Sequence, residues 1–223
     1  AHGGLARKPA YRHVLADLLD ERRAPGFSVR LTPEKTFLRR RQAEGADNRQ
    51  DRTPQTTEVT LAFIGANPSA RITGESRLSG KSNYLIGDDP AKWRTNVSRF
   101  SRVRYKRIYP GIDAVYYGTD QRQLEYDFIV APGADPADIG ISFDGVEKVS
   151  LDAAGNLVLA TKAGELTQEA PEIYQDTDKG RQNVAGRYII SREGEVSIEV
   201  GAYDRTKQLT IDPRLLYATM FGG

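Results

Sequence analysis

The 223-residue chain predicts an all-β fold, a mostly antiparallel β-sandwich with one N-terminal α-helix. Three observations carry that prediction. From Glu58 onward, short β-rich runs recur about every ten residues, the spacing of sandwich and barrel proteins. Turn residues punctuate the runs, as in Gly87-Asp88-Asp89-Pro90, Tyr109-Pro110-Gly111 and Pro132-Gly133-Ala134-Asp135-Pro136. Finally, Leu124, Tyr126 and Phe128 alternate with Gln123, Glu125 and Asp127. That period of two marks a strand with one apolar and one acidic face.

Taken in order, Tyr11 to Arg23 forms the helix. Val14, Leu15, Leu18 and Leu19 make its apolar stripe, and Pro25-Gly26 stops it. Phe27–Leu31 alternates cleanly as a strand. Thr32–Lys35 reads as a turn and Thr36–Arg40 as a returning strand, so the pair predicts a hairpin. Residues 41–57 hold almost no apolar side chain and predict a mobile loop. Strands follow at Val59–Ile64, Asn83–Ile86, Val103–Ile108, Ala114–Tyr117, Gln123–Val130, Ile139–Phe143 and Val149–Asp152. Five more fall at Leu157–Thr161, Glu165–Ala170, Arg187–Ser191, Val196–Val200 and Leu209–Ile211. Asp152 to Asn156 predicts a tight hairpin, since Gly155 and Asn156 tolerate positive φ. The domain reading is a helical segment over residues 1–24, the sandwich over 25–213, and the opening of a following β-repeat or a linker over 214–223.

Composition narrows the chemistry. With no cysteine, disulfides, thiol catalysis and thiolate metal sites are excluded. No apolar run reaches the length of a transmembrane helix. The chain opens Ala-His-Gly-Gly without an initiator Met, which fits a signal-cleaved end or an expression remnant. Net charge is +2, but unevenly spread. Residues 1–70 carry 12 basic against 8 acidic side chains, residues 71–107 carry 10 against 3, and residues 108–223 carry 10 against 19. A basic front and an acidic back either pair within the molecule or present two faces to partners.

The middle of the chain carries a family likeness. Its signature is Asn83-Tyr84-Leu85-Ile86-Gly87, Trp93-Arg94-Thr95-Asn96-Val97, Tyr109-Pro110-Gly111-Ile112-Asp113 and Val115-Tyr116-Tyr117-Gly118. It continues in Leu124-Glu125-Tyr126-Asp127-Phe128 and Ala131-Pro132-Gly133-Ala134-Asp135-Pro136. Together these runs resemble the uncharacterised domain at the front of bacterial SBBP-type β-propeller repeat proteins. Leu209-Thr210-Ile211-Asp212-Pro213 and the run Leu216–Gly223 look like that domain's last strand and the start of a first repeat. The resemblance covers Glu58 to Gly223 well and Pro25 to Arg40 more weakly; the first 24 residues depart from it. It implies an exported, surface-exposed protein and brings no known activity.

Candidate chemistry concentrates in the same block. Glu125 and Asp127, two apart on one strand, share a face at roughly 7 Å between Cα atoms. Such pairs serve glycoside hydrolysis as acid and base or nucleophile. The competing reading is a solvated strand face paired with nearby cations, and Asp113 reads as a local turn device. Arg102, Arg104 and Lys106 form a basic stripe for an anionic ligand or for cross-strand pairing with the acidic face. Trp93, Tyr84, Tyr109, Tyr116 and Tyr117 supply rings for a sugar-stacking platform or for the core. The ligand-binding candidates are therefore Trp93, Arg102, Arg104, Lys106 and Tyr117. Calcium could be held only by the short acidic loops Asp88-Asp89 and Asp176–Asp178, neither with EF-hand spacing. No metal and no cofactor is expected, since no phosphate loop, nucleophile elbow or dinucleotide fingerprint occurs. The expected function is a non-enzymatic exported structural or interaction module leading into a β-propeller-type array. Its partners would be other protein domains or chains, not nucleic acid, and it would have no membrane span. The alternatives are a cell-surface carbohydrate-binding module and a polysaccharide hydrolase.

Overall fold

The computed structural model describes residues 26–31, 57–85, 87–118, 124–162 and 164–219. In chain order its strands begin with β1 (Gly26–Leu31), β2 (Thr57–Phe63), β3 (Arg71–Tyr84), β4 (Arg94–Tyr109), β5 (Ile112–Gly118) and β6 (Leu124–Val130). Next come β7 (Gly140–Asp144), β8 (Lys148–Leu151), β9 (Leu157–Thr161), β10 (Gly164–Gln168) and β11 (Glu172–Thr177). The series ends with β12 (Gly180–Val184), β13 (Gly186–Ile190), β14 (Val196–Val200), β15 (Leu209–Asp212) and β16 (Leu215–Thr219). Every pairing between them is antiparallel. The all-β antiparallel prediction holds. The helix expected over Tyr11–Arg23 lies outside the described residues, as does the loop expected over 41–57 apart from Thr57, which opens β2.

Three sheets form. Sheet A runs β1-β2-β7-β14-β13, sheet B runs β12-β11-β15-β6-β5-β4-β3, and sheet C runs β16-β10-β9-β8. Sheets A and B pack face to face over one core. Phe63 of sheet A sets its ring, tilted, 5.0 Å from Phe128 and 5.9 Å from Tyr126 of sheet B. Tyr105 meets Tyr116 edge-on at 5.5 Å, the geometry ring quadrupoles favour. Tyr105, Tyr116, Tyr126, Phe128 and Ile112 are all sealed from solvent. At the junction of the three sheets sits a polar knot. Gln168 of sheet C donates from Nε2 to the Tyr188 hydroxyl of sheet A at 2.8 Å and to the Tyr126 hydroxyl of sheet B at 3.2 Å. Buried amides and phenols persist only when they find one another.

Several elements differ from the sequence expectation. Phe27–Leu31 is a strand and pairs with β2, with Val29 opposite Val59; the returning strand expected over 36–40 lies outside the described residues. The short strand expected at Asn83–Ile86 is the end of a 14-residue strand, β3. Its neighbour β4 has 16 residues and starts at Arg94. Strands β11 and β12 were missed, because their runs are mostly polar. Within the segment 214–223, expected to open a following β-repeat or a linker, Leu215–Thr219 form β16, which pairs with β10. No helix among the described residues is long and apolar enough to cross a membrane.

One feature of sheet B positions everything that follows. Strand β5 pairs with β4 only from Arg102 to Tyr109. Among the described residues the rest of β4, back to Arg94, pairs with β3 alone, so 76–84 and 94–101 form a two-stranded arm running past the end of β5. Its base is locked where Gly74 faces Phe100; a Cβ on Gly74 would stand 2.5 Å from that ring.

Candidate functional site

The candidate residues divide between the outer face of sheet B and the arm. Alternation on β6 sends Tyr126 and Phe128 into the core, which leaves Glu125 and Asp127 on the opposite face. Both carboxylates therefore do share a face. That face is not open at Asp127, which is only 5% exposed. Tyr117 on β5 donates its hydroxyl to Asp127 Oδ1 at 2.8 Å. Arg102 on β4 reaches across β5 to within 3.6 Å of Oδ2 and lies 5.0 Å over the Tyr117 ring. The basic strand and the acidic strand are thus not neighbours in the sheet. Strand β5 stands between them, and one long guanidinium spans the gap.

A third carboxylate joins from far along the chain. Strand β15 runs beside β6 with Ile211 opposite Phe128, which brings Asp212 next to Asp127. Asp212 is 9% exposed and its Oδ1 has no hydrogen-bond partner, while Oδ2 lies 3.7 Å from Arg214. Burial, aided by the Asp212 charge and opposed by the Tyr117 hydrogen bond and Arg102, pushes the Asp127 carboxyl up to about 6. Glu125 rises for the same leading reason, burial, with the Asp212 charge next. Asp212 itself is raised by burial, against the opposing pull of Arg214. Tyr117 is held well above the ordinary phenol range by burial and by the charge on Asp127. Sequence reasoning missed Asp212 and Arg214. Alternation along Leu209–Asp212 would have placed Asp212 on one face, but nothing local says which strand lies beside it.

The remaining candidates scatter. Arg104 pairs with Glu75 on β3 at 2.6 Å and with Asp113 on β5 at 3.2 Å, away from Glu125 and Asp127. Asp113 also accepts from the Arg107 backbone N–H at 2.7 Å and so holds Arg107 at a φ of 52°. Lys106 sits opposite Arg71 and makes no ion pair with a described residue. The five rings are not one platform. Tyr109 and Tyr116 are buried in the core, Tyr117 lies on the outer face under Arg102, and Trp93 and Tyr84 lie at the end of the arm. Tyr174, also on the outer face, is covered at 3.5 Å by Arg181. Trp93 is 38% exposed and donates Nε1–H to the Gly87 carbonyl at 3.0 Å. Of the acidic loops, Asp89 caps Ala91 N–H and pairs with Lys92, and Asp176 pairs with Arg181. Among the described residues no group of three His, Asp or Glu side chains is arranged to hold a metal ion.

Residues 21–214 match a family described as a domain of unknown function, DUF7948. The chain belongs to that family. No curated protein and no solved structure matches it. Within this DUF7948 domain the match spans the described part of sheets A and B, so the outer face and the arm both lie inside it.

Proposed function

We propose that this chain is a non-enzymatic interaction module of an exported, surface-exposed bacterial protein, standing at the front of a β-propeller-type repeat array. The state of Asp127 supports the non-enzymatic half. A general acid or nucleophile must come within hydrogen-bond reach of its substrate. Asp127 is covered, and both its oxygens are taken by Tyr117 and Arg102. Raised carboxyl values can mark a catalytic site, but burial inside an ion-pair network raises them equally well. The leader half rests on the resemblance of the Asn83–Gly87, Trp93–Val97 and Leu124–Pro136 runs to the front domain of SBBP-type proteins. A repeat array needs its terminal unit shielded, and a sandwich at that junction provides it.

A broad panel of polysaccharides tests the reading. The expected result is no turnover; turnover that Glu125→Gln abolishes would overturn it. The reading of the gene past Gly223 tests the leader half, and a stop without repeats would remove it. Carbohydrate recognition is the second reading, favoured by the exposed face of Trp93. Glycan-array binding that Trp93→Ala eliminates would put it first.

A further inference from the structure

Five exposed large apolar side chains fall in two places on the described surface. Leu78, Leu85 and Trp93 lie on the arm; Leu151 and Ile189 lie on β8 and β13. Strand β8 ends sheet C and β13 ends sheet A, and the two edges touch, so they form a seam on the body. The charges of the two places are opposite. Arm residues 76–101 carry five Lys or Arg against two Asp, a net of +3. Segments 144–152 and 186–200, which frame the seam, carry six Asp or Glu against three Lys or Arg, a net of −3. On the arm, Arg77, Lys81, Arg94 and Arg99 make no ion pair with a described residue, and neither do Glu193 and Glu195 beside the seam. A two-stranded ribbon is marginally stable by itself and gains from a surface that covers it.

We infer that the β3–β4 arm of one molecule docks onto the β8–β13 seam of a second copy of the same chain. Apolar side chains meet apolar side chains, ringed by opposite charges, which is the anatomy of a specific interface. The contact joins two different patches, so it is heterologous. It builds a reciprocal pair, a ring or an open filament according to the angle between arm and seam. This rests on the interaction-module reading and names its partner.

Sedimentation velocity of the 223-residue chain tests it. The average mass should rise with concentration at low salt and fall back toward the monomer near 1 M salt, where the screening length is only about 3 Å. Two charge reversals sharpen the test: Lys81→Glu with Arg94→Glu on the arm, and Glu193→Lys with Glu195→Lys at the seam. All four positions are exposed, so circular dichroism should match the parent. Each double variant alone should stay monomeric, and an equimolar mixture of the two should associate again. A parent that remains monomeric at every concentration, association that both reversals leave unchanged, or a mixture that stays apart would overturn the inference. So would a monomer whose arm binds anionic vesicles instead. Polysaccharide turnover would leave self-association standing, whereas a monomer would leave the module reading standing, so the two fail separately.

Discussion

The outer face of sheet B and the β3–β4 arm are built from the same residue types, and the structure treats them in opposite ways. On the sheet face most of the charged groups find partners in the chain: Arg102 with Asp127, Arg104 with Glu75 and Asp113, Arg214 with Glu172, while Lys106 pairs with no described residue. On the arm, Arg77, Lys81, Lys92 and Arg94 and three large apolar side chains meet solvent. The difference is sheet context. On β4, β5, β6 and β15 each side chain has cross-strand neighbours on two sides, so opposite charges can meet and exclude water. On the arm each strand has one neighbour only among the described residues, so a side chain there meets cross-strand partners from one side. Crowding of aromatics and charge therefore marks architecture on the sheet and an unfilled surface on the arm.

The largest expected effect tests how far the sheet face is a self-satisfied network. Asp127 titrates near 6 in the fold, above its unfolded value near 3.8, so the native state holds this proton more tightly. Its contribution is fully present below about pH 4 and is lost as pH rises through 6. Glu125 and Asp212 shift in the same direction. Denaturant unfolding should show stability falling by up to about 3 kcal/mol between pH 4 and pH 7. Asp127→Asn keeps an acceptor for Tyr117 and should flatten that slope while raising stability at pH 7.5. An unchanged slope would mean that Asp127 is not the group responsible.

Next comes Tyr117→Phe, which leaves the ring under Arg102 and removes only the hydroxyl on Asp127. It should cost about 1–3 kcal/mol at pH 7.5 by chemical denaturation, because a buried carboxylate loses its neutral donor. Gly74→Ala probes the place where the two regions join. Its new methyl meets the Phe100 ring, and a loss of about 1–2 kcal/mol in the same assay is expected. A neutral result would show that the arm base yields freely.

The smallest effect belongs to the arm itself. Trp93→Ala or Leu85→Ser should change the unfolding free energy of the monomer by no more than about 0.5 kcal/mol, as exposed positions do. If either variant cost as much as Tyr117→Phe, the arm would be packed on its own molecule and the contrast between the regions would fail.

Several features were legible in the sequence because they are local. The alternation of Leu124–Phe128, the turns at Gly87–Pro90 and Tyr109–Gly111, and the Asp152 turn follow from backbone preferences of neighbouring residues. Asp152 indeed accepts from Ala154 and Asn156 N–H, and Gly155 adopts a φ of 84°. Most of strand β3 escaped because beyond Ile72 its side chains are half-buried or exposed and show no apolar alternation. Strand β12 escaped because it is a mostly exposed edge, and β11 because its buried positions Ile173 and Gln175 include only one apolar residue. The acidic face was visible, but its burial was not, since the covering groups Arg102 and Tyr117 act through strand pairing and Asp212 comes from 85 residues downstream.

By itself, then, the sequence determined the antiparallel all-β class, most strand positions after Val103, and which side chains of β6 face the core. Strand order, the meeting of Asp127 with Asp212, the sealing of Asp127 by Tyr117 and Arg102, and the projection of the arm past β5 were decided only by the tertiary structure. The reason is physical. Period-two alternation fixes the side of a strand on which a residue falls, through local backbone geometry. Which strand lies alongside depends on burial summed over the whole core, and no short run of residues records that sum.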